Sequence, residues 1–187
     1  SRHRVVTTGE PHPAAAGRSR RPPLAPSRYD AGRDALTEVL AGQPRYRIDQ
    51  VWHGLYEQLA EPAELTTLPK ALRQALDAAH PPALEAATTS RSNNGDTVKW
   101  LWRLRDGAHI ETVLMHYPER TTVCVTSQAS CAIACSYCAT GQAGFDRQLT
   151  TGEIVEQVVI ARRRSAEVGK RLSNIVFMGM GEPLANY

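Results

Sequence analysis

The sequence predicts an α/β fold: the opening of a parallel sheet, preceded by a small helical module and a β-hairpin. Three observations carry this reading. Apolar residues recur at helical spacing between positions 33 and 80, alternate with period two between 98 and 116, and then follow a strand–loop–helix–strand order between 121 and 178. With 187 residues, 42% of them hydrophobic and 22% charged, the chain has room for one domain and a small appendage. No apolar run nears the ~20 residues of a membrane span and no hydrophobic leader opens the chain, which argues against membrane spanning and Sec-type secretion. The formal net charge of +3 is uneven: residues 1–30 hold six Arg against Glu10 and Asp30, and the remainder is slightly acidic. Overall charge therefore says little about nucleic-acid binding by the folded part.

The first thirty residues contain five of the twelve prolines and the Arg18–Arg20–Arg21 cluster, the composition of a disordered basic tail. A helical accessory domain is expected over 31–82. Arg33–Leu40 reads as a short helix stopped by Gly42 and Pro44. Ile48, Val51, Trp52, Leu55, Tyr56 and Leu59 make one apolar stripe of a second helix, ended by Pro62. A third begins near Pro69, which suits a first turn, and presents Leu72, Ala75, Leu76 and Ala79 on one side before Pro81 and Pro82. Three short helices bury little by themselves, so this module is expected to dock on the later part of the chain.

A β-hairpin extension is expected over 83–120. Val98, Trp100, Trp102 and Leu104 alternate with Lys99, Leu101, Arg103 and Arg105, and Asp106-Gly107 is a strong turn signal. The return strand runs from His109 to His116, with Glu111, Val113 and Met115 on one face and Ile110, Thr112 and Leu114 on the other. The sheet core is expected over 121–187. Thr121–Ser127 is its first strand, and Thr150–Val168 a long helix with Ile154, Val155, Val158, Val159 and Ala161 inward. Gly169 ends that helix, and Ser173–Met178 reads as a buried strand. Arg162, Arg163 and Arg164 near the helix end are expected to complement the helix dipole from an exposed face, with a grip on phosphate as the alternative.

All four cysteines lie between positions 124 and 138, which points to a local site and away from a disulfide scaffold. Cys131-Ala-Ile-Ala-Cys135-Ser-Tyr-Cys138 is a C-x3-C-x2-C run between strand and helix. Such a loop supplies three soft thiolates to an iron–sulfur cube and leaves one of its four irons open to a small chelating molecule. Structural zinc with Cys124 as fourth ligand is the alternative, but zinc sites come as two short knuckles a dozen or more residues apart. The second motif, Gly179-Met180-Gly181-Glu182-Pro183, comes directly after the last predicted strand, where ligands of parallel sheets bind. Its glycines permit close backbone approach and its carboxylate can accept bonds from an ammonium group.

The cysteine run, with Tyr137 before its third cysteine, resembles that of the radical S-adenosylmethionine (SAM) superfamily. The flanks resemble the RlmN/Cfr methyltransferases within it: Val123-Cys124-Val125-Thr126-Ser127-Gln128, Ala139 through Thr150, Ile110-Glu111-Thr112-Val113-Leu114, the closing GMGEPLANY, and upstream Tyr46–Gln50 and Leu68–Arg73. Ala129-Ser130 stands where that family usually has Val-Gly, and Ala132-Ile133-Ala134 fills the loop. The resemblance implies a partial (β/α) barrel, a [4Fe-4S] cluster on Cys131, Cys135 and Cys138, and SAM whose methionine amine is met by Gly181 and Glu182. It implies methylation of carbon 2 of adenine in 23S ribosomal RNA and in transfer RNA through a methylated cysteine. Cys124 would be the second cysteine, which resolves the covalent adduct, and Glu111 the candidate proton acceptor. An electron donor such as flavodoxin and a cytoplasmic setting go with that chemistry. A carbon-8 adenine methyltransferase of the Cfr type shares these motifs, and a structural zinc-binding RNA module is the non-enzymatic alternative. The family carries its methyl-bearing cysteine near the carboxyl end, and no cysteine comes after Cys138 here. The expectation is a fragment, truncated after the first βαβ unit, that binds a cluster yet completes no methyl transfer alone, its last strand an unpaired edge liable to aggregate.

Overall fold

The computed structural model describes residues 24–133, 135–142 and 144–186. The first 23 residues of the expected tail lie outside them. The end of that segment differs from the expectation: Ser27, Arg28, Tyr29 and Ala31 are buried. Asp30 explains this, because its carboxylate accepts bonds from the Ser27 hydroxyl at 2.6 Å, the Gly152 amide at 2.6 Å and the Thr150 hydroxyl at 3.1 Å. Arg28 adds an ion pair with Asp77 at 2.7 Å.

Three helices come next, α1 (Arg33–Val39), α2 (Tyr46–Tyr56) and α3 (Lys70–Ala79), with a single 3₁₀ turn at Pro62–Glu64. The second helix ends at Tyr56, before Pro62, and Leu59 takes a left-handed backbone at φ 57°. Pro69 stands just outside α3 as its N-cap. Leu36, Val51, Leu55, Leu65, Leu68 and Leu76 form the module's own core, and Val159 of the long helix belongs to it. The module thus docks as expected, because three short helices lack enough apolar surface among themselves.

The main sheet has five strands in the order β1-β2-β3-β4-β7: β1 (Leu84–Ser92), β2 (Thr97–Leu104), β3 (His109–His116), β4 (Thr121–Cys124) and β7 (Asn174–Val176). The first three pairings are antiparallel and β4–β7 is parallel. Alternation in β2 and β3 matches the pattern read from the sequence: Val98, Trp100, Trp102, Leu104, Ile110 and Leu114 are buried. Trp100 and Trp102 stack with centroids 5.6 Å apart. Strand β1 is an addition to the hairpin the sequence predicts. Beyond Leu84 its side chains are exposed, so it carries no apolar alternation, and it pairs as an edge strand with a bulge between Ala86 and Thr88.

Two short strands, β5 (Gln128–Ser130) and β6 (Phe145–Gln148), form a separate antiparallel pair around the cysteine loop, which contains α4 (Ala139–Gln142). Helix α5 (Thr151–Glu167) crosses from this pair to β7. Thr150 caps it reciprocally: its hydroxyl accepts from the Glu153 amide, and the Glu153 carboxylate accepts from the Thr150 amide at 2.9 Å. Its inward face corrects the sequence expectation. Val159 and Ala161 are buried, Ile154, Val155 and Val158 only partly, and the polar Glu153, Glu156, Gln157 and Ser165 share the interior. Each finds partners; Glu156, for example, accepts from the amides of Ala83 at 2.9 Å and Leu84 at 3.2 Å. The strand expected to be buried at Ser173–Met178 is paired only over three residues and lies open, with Ile175 49% and Phe177 46% exposed. Its one ladder partner among the described residues is β4. Arg163 is drawn to Glu61 at 3.3 Å and Glu64 at 2.9 Å, so it ties α5 to the helical module.

The Asp30 contact makes a pH-dependent prediction. Burial would raise its pKa, but bonds from Ser27, Gly152 and Thr150 outweigh that and hold it below the ordinary value of 3.8. Its contribution is therefore complete above about that pH and is lost as the pH falls through the lower folded value. Asp30→Asn is expected to cost about 1–2 kcal/mol at neutral pH, the carboxylate being partly screened by solvent. Thermal unfolding at pH 7 and pH 3 checks this: the gap between variant and parent narrows in acid.

Candidate metal and cofactor site

Strands β5 and β6 pinch the ends of the cysteine loop together, and the Cys131 amide donates to the Gly144 carbonyl at 3.2 Å. Ser130, directly before Cys131, has φ 65°. A serine there costs about 1–2 kcal/mol that glycine would not. Beyond the first cysteine, the Cys138 amide donates to the Cys135 carbonyl at 3.1 Å and Gln142 Nε2 to the Ser136 carbonyl at 2.8 Å, so the second and third cysteines share one turn. Backbone amides of Gly141 and Thr140 point at the Cys138 sulfur and lower its pKa. Tyr137 is 90% exposed beside it.

All four cysteines are free and partly exposed. Among the described residues, no three Cys, His, Asp or Glu side chains stand together as a preformed site for a single metal ion. The donor chemistry of the loop nonetheless fits a cluster: three unpaired thiols within one pinned loop, one of them already biased toward thiolate. Cys124 is different. It ends β4 between β3 and β7, and burial pushes its thiol up against the opposing effect of the Met178 amide.

The glycine-rich segment meets the cysteine loop at its root. Gly179 donates to the Val125 carbonyl at 3.1 Å, and the Met180 carbonyl accepts from Ser127 at 3.0 Å. A Cβ on Gly179 would stand 2.7 Å from the Val125 carbonyl oxygen, so only glycine permits this approach. Gly181 has φ 96° and the same closeness to Gln128. Glu182 caps a 3₁₀ turn at Pro183–Ala185 by accepting from the Leu184 amide at 2.9 Å. Asn186 closes the segment with bonds to the carbonyls of Ser127 at 2.7 Å and Leu149 at 3.0 Å. Two motifs some forty residues apart in the chain thus share one strand end.

Glu111 and Cys124 lie on neighbouring antiparallel strands. Val113 pairs with Cys124, which puts Cys124 on the face of Val113 and Glu111 and makes Glu111 its diagonal neighbour. The Thr126 hydroxyl donates to the Glu111 carbonyl at 2.6 Å, and Lys99 Nζ reaches the Glu111 carboxylate at 2.9 Å.

Several supporting residues carry no motif in the sequence. Gln157, fully buried, accepts from the Thr126 amide at 2.9 Å and the Thr112 hydroxyl at 2.8 Å, and Trp102 Nε1 donates to that hydroxyl at 2.9 Å. Arg147 in β6 grips Glu153 with two bonds of 2.7 Å and Asp106 of the hairpin turn with another of 2.7 Å. The alternation of β6 is too short to announce either the strand or this clamp.

No family model matches the chain. Among curated proteins, the "Probable dual-specificity RNA methyltransferase RlmN" of Corynebacterium diphtheriae is 50% identical over 156 residues, which cover 82% of this chain and 42% of that protein. The protein of the same name from Mycobacterium ulcerans is 48% identical over 170 residues, 89% of this chain and 47% of its own length. The crystal structure of a radical SAM methyltransferase from Sphaerobacter thermophilus superposes with a TM-score of 0.81 at 51% identity, over 87% of this chain and 49% of that one. The chain thus spans less than half the length of these three proteins.

Proposed function

We propose, from the premise that this chain belongs to the RlmN/Cfr family of radical SAM methyltransferases, that it supplies the cluster loop, the SAM-contacting segment and one wall of the substrate cavity of an RNA adenine methyltransferase. The observation that carries this is the folding of Gly179–Asn186 onto residues 125–128, the strand end from which the cysteine loop springs. In this reading Cys131, Cys135 and Cys138 hold a [4Fe-4S] cluster. Gly181 and Glu182 receive the amine of SAM. The bound cluster supplies one electron to the sulfonium.

The face shared by Glu111 and Cys124 supports their proposed roles. Glu111, oriented by Lys99 and anchored through its carbonyl by Thr126, is the proton acceptor. Cys124, its thiol kept protonated at rest by burial, is the cysteine that resolves the adduct. The substrate is carbon 2 of adenine in ribosomal and transfer RNA, in keeping with the name "dual-specificity RNA methyltransferase" of the relatives. A low-potential reductant such as flavodoxin, RNA and a cytoplasmic setting complete this reading. The zinc alternative needs Cys124 as a fourth ligand, and a half-buried strand thiol whose pKa is raised suits that poorly.

Anaerobic reconstitution of the 187-residue chain with iron and sulfide tests the proposal. The expected result is a brown protein with about four irons per chain that cleaves SAM when reduced. A colourless protein holding one zinc on four thiolates would overturn it.

A further inference from the structure

We propose that Gln128 is a positioning residue that fixes the separation between the cysteine loop and the glycine-rich segment. The inference deepens the preceding one and rests on reading those segments as cluster and SAM sites. Gln128 opens β5 and is fully buried, although a glutamine is seldom found so. Its Oε1 accepts from the Glu182 amide at 3.0 Å and from the Ala132 amide at 3.4 Å. Its Nε2 donates to Gln148 Oε1 at 2.8 Å, and its own backbone amide donates to the Met180 carbonyl at 3.3 Å. Only the carbonyl end of an amide fits between two N–H donors, so the network itself sets the side chain's orientation.

The two donors are well placed for such a role. Ala132 is the next residue after the first cluster cysteine, and Glu182 is the residue read as meeting the SAM amine. One oxygen with two lone pairs thereby joins both. Gly181 makes the join possible: a Cβ there would stand 2.5 Å from the Gln128 Cβ and 2.7 Å from its Cγ. Thr126 braces the same segment by accepting from the Met180 amide at 3.1 Å, but its other bond goes to the Glu111 carbonyl. Sites of this kind work within about 0.5 Å of their productive geometry, and a shift of about 1 Å can cost on the order of a hundredfold. A buried tether between the anchors of two ligands that must touch is therefore worth its polarity.

Gln128→Met and Gln128→Glu in the 187-residue chain separate this from simple packing. Methionine fills the space without accepting a bond, whereas glutamate in its protonated form, which burial favours, keeps the acceptor and donates its hydroxyl to Gln148 Oε1. In the metal-free chain, Gln128→Met is expected to speed amide exchange at both Ala132 and Glu182 about tenfold or more, with β2 and β3 unchanged. After reconstitution its iron content equals that of the parent, its SAM dissociation constant rises about tenfold, and the SAM-induced change in the electron paramagnetic resonance spectrum shrinks. Gln128→Glu restores slow exchange and SAM binding. Parental exchange at either amide in the Met variant, or parental SAM affinity, overturns the proposal. Should the Met variant unfold, the Glu variant decides, with fast exchange at both amides counting against the tether. A parent chain whose reduced cluster ignores SAM would instead overturn the SAM reading, while the exchange data still judge the tether.

Discussion

Cys135→Ala is expected to reduce the iron retained after anaerobic reconstitution from about four atoms per chain to less than about a tenth of that, and Cys131→Ala and Cys138→Ala should do the same. Cys124→Ala should leave iron content unchanged. The contrast comes from position: Cys131, Cys135 and Cys138 belong to one pinned loop, whereas Cys124 is built into β4 with partners on both sides. The thiols also differ in chemistry, since amides of the short turn lower Cys138 and burial raises Cys124. Under the proposed cluster reading, removing one of the three thiolates leaves two irons without protein ligands, and the remaining pair of thiolates holds such a cluster too weakly to retain it. Because the cysteines are partly exposed, the metal-free variants should unfold within about 2 °C of the parent, a change of well under 1 kcal/mol. Iron and zinc determined on the same samples check the result. Equal losses in all four variants would mean a four-thiolate ion.

Arg147→Met is expected to lower stability by about 3 kcal/mol, or the melting temperature by about 6–12 °C for a chain of this size. The guanidinium is 29% exposed, but its partners Glu153 and Asp106 are only 7% and 11% exposed. Two parallel bonds to Glu153 and one to Asp106 hold the arginine charged more firmly than an ordinary one. The variant leaves a buried carboxylate at Glu153 without its counter-charge, although the Thr150 amide still reaches it. In the double variant Arg147→Met, Glu153→Gln, the loss should be about 1–3 kcal/mol smaller than the sum of the two single losses, because no unpaired charge then remains at Glu153. Calorimetry on the four chains of this cycle is the measurement. Strict additivity would show that the pair contributes nothing of its own.

Periodicity makes the repetitive elements legible in the sequence alone. The helical stripe of Ile48 to Tyr56 and the alternation of Val98 to Leu104 each depend on neighbours within a few positions. The cysteine spacing and the glycine pair are legible for a similar reason, since a loop or a close backbone approach is local. What stays hidden is non-local. Strand β1 offers Thr and Ser to solvent and is held by its ladder with β2, and β5 and β6 are three and four residues long. Buried Gln128, Gln157 and Glu156 look like surface residues until their long-range partners Glu182, Thr126 and Ala83, 31 to 73 positions away, are known. The open face of β7 runs against its apolar sequence, because such a run implies neighbours on both sides and β4 alone pairs with it among the described residues.

Helix α5 fastens the helical module at both of its flanks, at Asp30 across 122 positions and at Ala83 across 73. On a translating ribosome neither partner exists when the helical module emerges. At roughly 5–20 residues per second, the module must wait on the order of ten seconds for its dock to be synthesised. During that interval Tyr29, Leu36 and Leu55 lack the Val159 side chain that helps to enclose them. Nascent chains arrested before Gly152 is added should therefore remain open to a protease that chains released after α5 resist.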